Sequence, residues 1–230
     1  MKVIKDIEQG SQEWHDLRRC KVTGTKLDDV MGTPLARLQL IAELIAEEGT
    51  EQSKVLKPTL EMERGTSEEV FAIKKYESKH LKKVEKITMC ISDDFDWFGY
   101  SPDGLIKDKS GKYTEGIEVK NPDSKTLIFA KMINMIPELP VAKSKQSFLG
   151  IPPDYKWQVV ASFLVNKDQQ KLHFIIHDAR FIDDEAKLYI VDVERNNPLL
   201  QEAMKEATDE LIRFRKDWLA YKEVVLPSNF

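Results

Sequence analysis

The chain has 230 residues, of which 41% are hydrophobic and 32% charged, with a formal net charge of −4. That composition belongs to a globular protein of one domain over residues 1–230, and no apolar run is long enough to cross a bilayer. Cys20 and Cys90 stand far apart with no CxxC neighbour, which argues against a disulfide framework and a thiolate zinc site and fits two buried thiols in a reducing compartment.

In chain order, "GSQEWHDLRR" reads as a helix opened by Ser11, and "VTGTKLDDVMG" as a turn leading into a short helix with Thr25 as N-cap and Asp28 at capping-box spacing. Residues 34–48 carry Leu35, Leu38, Ile41, Leu44 and Ile45 at helical spacing behind Pro34, which predicts one buried face. A charged helix is expected from Thr66 to Lys79. Strands follow at "VEKITMCI", "DWFGYS", around Leu105 and at "GIEVK", joined by tight turns at "PDG" and "KSGK".

Residues 124–136 read as a helix, and "PELPVAKSKQSFLGIPPD" as one long irregular segment. Asp154 is placed to cap a helix over "YKWQVVASFLV"; "KLHFIIHD" and "KLYIVDVE" are two more strands; Asn197 and Pro198 open a final helix running to about Tyr221. The order predicts an α/β (α+β) layer structure with a central mixed sheet flanked by helices. Within it, N-terminal helices cover residues 11–48, a core covers 66–193 and a C-terminal helix covers 197–222.

Asp103 sits on a Pro-Gly turn, and in "GIEVK" the period of two puts Glu118 and Lys120 on one strand face with Val119 on the other. Hydrolysis of a phosphodiester with Mg²⁺ needs hard oxygen ligands from separate elements, and a second ion roughly 4 Å away stabilises both the attacking and leaving oxygens. Asp103, Glu118 and Lys120 form the PD…(D/E)xK pattern of such a site. Taken alone it is a weak signal, because P-D-G is a common turn and E-x-K is common on solvent-facing strands.

Five segments in order, "QGSQEWHDLRRCKVTGTKL", "ERGTSEEVFA", "GYSPDGL", "GIEVKNP" and "DYKWQVVASFLV", resemble the phage lambda exonuclease or YqaJ-type viral recombinase family, with its restriction-endonuclease-like PD-(D/E)XK core. The resemblance implies that Asp103 and Glu118 hold metal, with the Val119 carbonyl as an extra ligand, and that Lys120 positions or activates water. It adds Glu69 of "GTSEE" to the metal site, with Glu68 as the competing carboxylate. Thr66 and Glu69 also have capping-box spacing, so Glu69 has a plain structural alternative. Gln158 of "KWQVV" matches a glutamine beside the family's active site. Arg18, Thr25 and Ser101 match a pocket for a terminal 5′-phosphate, for which a guanidinium and hydroxyls are suited. Outside that context Arg18, next to Arg19, would simply be exposed.

The resemblance implies a Mg²⁺-dependent 5′→3′ exonuclease with two ions, Mn²⁺ as a substitute, and 5′-mononucleotides as products. It acts on linear double-stranded DNA with 5′-phosphate ends and leaves a 3′ overhang for a single-strand annealing protein. A toroidal homotrimer without membrane attachment, in bacterial or phage-infected host cytoplasm, completes the expectation. The rivals are an endonuclease on the same core and a DNA-end-binding module with a lapsed centre.

The acidic balance is unusual for a nucleic-acid partner, which ordinarily leaves a basic footprint. "HDLRRCK" and "AKSKQS" are local basic stretches that read equally as solvated faces. His173 and His177 share a strand face without a third nearby ligand, so zinc is not favoured. The four tryptophans read as core or interface anchors, and no glycine-rich phosphate loop is present.

Overall fold

The computed structural model describes residues 1–52, 60–136, 138–139 and 147–226, with backbone alone at 60–64 and 66. Its elements are β1 (Lys2–Ile4), α1 (Gln12–Arg18), α2 (Leu27–Met31), α3 (Pro34–Thr50), α4 (Leu60–His80), β2 (Met89–Ile91), β3 (Gly99–Tyr100), β4 (Gly104–Lys107) and β5 (Tyr113–Lys120). They continue with α5 (Ser124–Met135), α6 (Lys156–Val165), β6 (Lys171–His177), β7 (Leu188–Glu194) and α7 (Pro198–Val225). Among the described residues no helix is long and apolar enough to cross a membrane.

A mixed sheet of order β4-β5-β6-β7 forms the centre. β4 and β5 make a hairpin, β5 and β6 are parallel, and β7 returns antiparallel. The hairpin turns through Gly111 at φ 86, where a left-handed backbone favours glycine. Asp108 Oδ1 secures that turn by accepting from the N–H groups of Ser110 and Lys112.

Strand alternation sorts the side chains between two layers. On one face Ile106, Ile117, Val119 and Ile175 pack against Ala72 and Tyr76 of α4. On the other, Leu105, Leu172, Phe174 and Ile176 join the main core with α6, α7 and the N-terminal helices. Trp218 and Phe214 of α7 are buried there, and Trp97 meets Trp218 edge-on at 6.1 Å.

The expected helix–sheet–helix layering and mixed sheet are present, with several differences of detail. The strands do not form one meander. β1, absent from the sequence reading, pairs with β2, and β2 with β3, as a separate antiparallel sheet. Only Met89–Ile91 of the "VEKITMCI" run is strand, although an isolated bridge joins Glu85 to Leu105.

Helix boundaries also moved. The charged helix α4 begins at Leu60, so Thr66 lies inside it and the Thr66/Glu69 pair is no capping box. α2 starts after Lys26 without a side-chain cap, so Thr25 caps nothing. Asp154 lies in a single 3-10 turn, Pro153–Tyr155, ahead of α6, which also starts without a side-chain cap. Ser11 and Asn197 do cap α1 and α7, accepting from the N–H groups of Trp14 and Leu199.

Leu35 and Leu38 are exposed rather than buried; the covered stripe of α3 starts only at Leu40. Near the helix start it is Arg37 that reaches α7, at 2.8 Å from Glu210 and 3.5 Å from Asp217. Of the basic stretch 142–147, all but Ser147 lies outside the described residues.

Candidate active site

β5 outruns its neighbour: β4 begins at Gly104, opposite Ile117. Asp103, just ahead of Gly104, takes the place of the missing strand, its Oδ2 accepting the Val119 N–H at 2.6 Å. A residue's N–H and C=O leave a strand on the same side, so the Val119 carbonyl opens beside Asp103. The close turn needs glycine. A Cβ at Gly104 would stand 2.1 Å from Val84 Cγ1.

Glu118, 3% exposed, faces the α6 side. Its Oε1 accepts from Lys120 Nζ at 2.6 Å and from Gln158 Nε2 of α6 at 2.5 Å. Gly24 packs beneath that helix, where an added Cβ would lie 3.6 Å from Ala161 Cβ and 3.7 Å from Gln158 Cγ.

α4 reaches the site from the opposite layer. Burial pushes the Glu69 carboxyl up, and the charge of Glu118 pushes it further against the lowering effects of Lys86 and Lys120. Glu68 turns elsewhere, with Oε2 at 3.9 Å from His177 Nδ1. Asp103 is held well above the usual carboxylate range by burial first and then by Glu118. Burial opposes the Lys120 ammonium, but Glu118 and Asp103 more than offset it and raise its pKa.

Three acids and one cation thus share a small region with unspent negative charge. Among the described residues no three His, Cys, Asp or Glu side chains stand close enough to hold one ion as they are; Glu69 joins the other two through its charge. The donor set nonetheless suits a hard divalent cation. The hydrogen bonds found at Asp103 and Glu118 fall on Oδ2 and Oε1, which leaves Oδ1, Oε2 and the Val119 carbonyl as oxygen donors at the strand end.

A second cluster lies on the N-terminal side. Arg18 donates from Nη1 to Ser101 Oγ at 3.0 Å and from Nη2 to Thr23 Oγ1 at 3.2 Å, and Thr23 Oγ1 lies 3.3 Å from the exposed Thr25 Oγ1. The guanidinium also stacks over the Trp14 ring at 4.2 Å. Arg18 is therefore far from the freely exposed side chain its position beside Arg19 suggests, and burial lowers its pKa to about 10. Among the described residues it forms no ion pair, so a positive charge is held by neutral hydroxyls.

Arg18, Thr25 and Ser101 come together as one group, and Asp103, Glu118, Lys120 and Gln158 as another, with Glu69 and Val119 at its margin. Three residues near these sites went unnoticed in the sequence. Thr23 bridges the hydroxyl cluster, and its place two residues before Thr25 was the available signal. Tyr155, whose ring lies 5.3 Å from Lys120 Nζ, and Asn121, which bonds α4, carried none. The histidines are spent on local partners: His173 lies between Asp192 and Glu115 at 2.7 and 2.6 Å, and His177 Nδ1 meets Asn121.

Residues 13–168, a stretch that includes every one of these site residues, match the family model described as the YqaJ-like viral recombinase domain. The chain belongs to the YqaJ-like viral recombinase family. Its fold accords with that of solved exonucleases. The structure of an alkaline exonuclease, LHK-Exo, from Laribacter hongkongensis is similar at 26% identity and TM-score 0.69, covering 93% of this YqaJ-like chain and 97% of that one. The same figures hold for LHK-Exo in complex with dAMP. A phage related exonuclease from Haemophilus somnus 129PT, 13% identical with TM-score 0.59 over 87% of this chain and 96% of the other, shares the fold. No curated protein matches the sequence.

Proposed function

We propose that this chain is a Mg²⁺-dependent exonuclease that degrades one strand of linear double-stranded DNA from its 5′ end, releasing 5′-mononucleotides and leaving a 3′ overhang. The observation that carries the reading is the pairing of two sites. One is the strand end where Asp103 and Glu118 meet beside Lys120; the other is the Arg18 pocket, whose guanidinium is bound by hydroxyls and forms no ion pair among the described residues. Membership of the family and likeness to LHK-Exo support nuclease chemistry. The dAMP bound by that relative is a nucleoside monophosphate of the kind such digestion releases.

Mg²⁺ held by Asp103, Glu118 and the Val119 carbonyl, with Glu69 alongside, would polarise the scissile phosphate and offset charge on the attacking and leaving oxygens. Gln158 fixes the Glu118 carboxylate from α6. Lys120 is charged and beside the carboxylates, where it orients the attacking water and offsets negative charge that builds on phosphate. The water oxygen bonds to phosphorus as the bond to the 3′ oxygen of the terminal nucleotide breaks. The next nucleotide then carries a new 5′-phosphate, which the Arg18 guanidinium and the hydroxyls of Ser101 and Thr25 can accept in turn.

A toroidal homotrimer around DNA and delivery of the 3′ strand to a single-strand annealing protein belong to the same proposal and rest on family membership; light scattering on the purified protein tests the first. The central test is digestion of end-labelled linear duplex and closed circular plasmid, each with and without Mg²⁺. Linear DNA should be lost from the 5′ end only with metal, while circles persist. Cutting of circles would favour an endonuclease, and DNA-end binding without hydrolysis would favour a lapsed enzyme.

A further inference from the structure

We infer that Asn121 is a positioning residue that sets the Glu69 carboxylate against the Asp103–Glu118 pair by tying α4 to the ends of β5 and β6; the inference rests on the nuclease reading above. Asn121 directly follows Lys120, where β5 ends. Continued alternation places it with Ile117 and Val119 on the α4 side, whereas Lys120 faces α6. Its Nδ2 donates to the Gly65 carbonyl of α4 at 2.9 Å, and its Oδ1 lies 3.1 Å from His177 Nδ1 at the end of β6.

These two bonds fix each other's polarity. A carbonyl only accepts, so Gly65 determines which end of the amide is nitrogen, and His177 Nδ1 must then carry the hydrogen toward Asn121 Oδ1. One short side chain therefore joins three elements in a single arrangement.

The connection bears on Glu69 through helical geometry. Gly65, Ala72 and Tyr76 lie on the sheet-facing stripe of α4, and Glu69 is one turn beyond Gly65. Tyr76 anchors the far end of this stripe, its ring 5.1 Å from that of His173. At the near end the polar link to Asn121 holds the turn that presents Glu69. Without the link, the first turns of α4 can move outward and carry Glu69 away from the strand end.

The test combines a double-mutant cycle with amide hydrogen exchange. Asn121→Ala should lower kcat on linear duplex about 10-fold and raise the half-saturating Mg²⁺ concentration, with KM for DNA unchanged. In a Glu69→Gln background the same change should cost little further, because the two residues act as one unit. In the metal-free protein, amides of α4 from Gly65 onward should exchange about fivefold faster in Asn121→Ala. Asn121→Asp keeps the size and the acceptor toward His177 but loses the donor to Gly65, and it should reproduce the faster exchange if the alanine variant folds poorly.

Additive losses in the cycle, or unchanged α4 exchange in both variants, would overturn the assignment. Full activity of Glu69→Gln would overturn it too, while leaving the nuclease reading in place. A wild-type protein inactive on linear DNA would instead sink that reading, with exchange still judging the tie between Asn121 and α4.

Discussion

Asp103 Oδ2 accepts the Val119 N–H at 2.6 Å, so the residue between Glu118 and Lys120 is pinned by the acid expected to share their metal. One contact thereby sets the turn before β4, the end of β5 and the spacing of the two carboxylates.

Asp103→Asn should abolish hydrolysis while preserving the fold, since an amide oxygen can still accept from Val119. The pKa values of Asp103 and Glu69 are raised in the folded chain, so above pH about 4 the native state holds more protons than the unfolded state. Stability of the metal-free protein from these groups accordingly falls as pH rises through their folded pKa values. Binding of Mg²⁺ must displace the same protons, so the rise in Tm produced by Mg²⁺ should grow as pH rises through those folded pKa values and shrink in Asp103→Asn. Thermal unfolding with and without metal measures this; a pH-independent shift would contradict it.

Lys120 competes with any cation for Glu118 Oε1, on which its ammonium rests at 2.6 Å. Lys120→Ala should reduce turnover by roughly 10²–10⁴-fold, the range for removing a positioned proton-handling group. Mg²⁺ affinity should hold or tighten, because a competing positive charge has gone. Calorimetric titration beside single-turnover kinetics separates the two effects, and near-native turnover would require a different active site.

Arg18→Ala should erase the preference for 5′-phosphorylated over 5′-hydroxyl ends and leave Mg²⁺ affinity intact. Thr23→Val, which removes the hydroxyl that Arg18 Nη2 reaches at 3.2 Å, should weaken the same preference by less. Competition between the two kinds of duplex end is the measurement; undiminished discrimination in Arg18→Ala would remove the pocket from the scheme.

Trp218 of α7 is 2% exposed in the core against Trp97, and its Nε1 has no hydrogen-bond partner among the described residues. Trp218→Ala should cost about 3–5 kcal/mol, as expected for emptying a large buried site. Trp218→Phe should cost much less, since an unpartnered N–H contributes no hydrogen bond to lose. Denaturant unfolding compares the two, and equal losses would show that the indole does more than fill space.

Much of the site was legible because its signals are local. Alternation in "GIEVK" is enough to put Glu118 and Lys120 on one face, and the bond between them follows from that geometry. Ser11 and Asn197 could be read as caps because an N-cap bonds an N–H only two or three residues away. The same rule misled at Thr25, Thr66 and Asp154, where the spacing exists but the helix begins elsewhere. Leu35 and Leu38 have the periodicity of a buried face, yet burial requires a neighbour to pack against, and periodicity cannot say how far along α3 that neighbour extends.

By itself the sequence determined which side chains share a strand face, that Ser11 and Asn197 open α1 and α7, and, through five ordered motifs, the family. The tertiary structure alone decided that Gln158 bonds Glu118, that Arg18 lies among hydroxyls instead of in solvent, that the charge of Glu69 acts on Asp103 while Glu68 lies beside His177, and that Asn121 joins α4 to β6. These relations bring together residues distant along the chain. Their distances depend on how layers pack against the mixed sheet, and no local propensity carries that information.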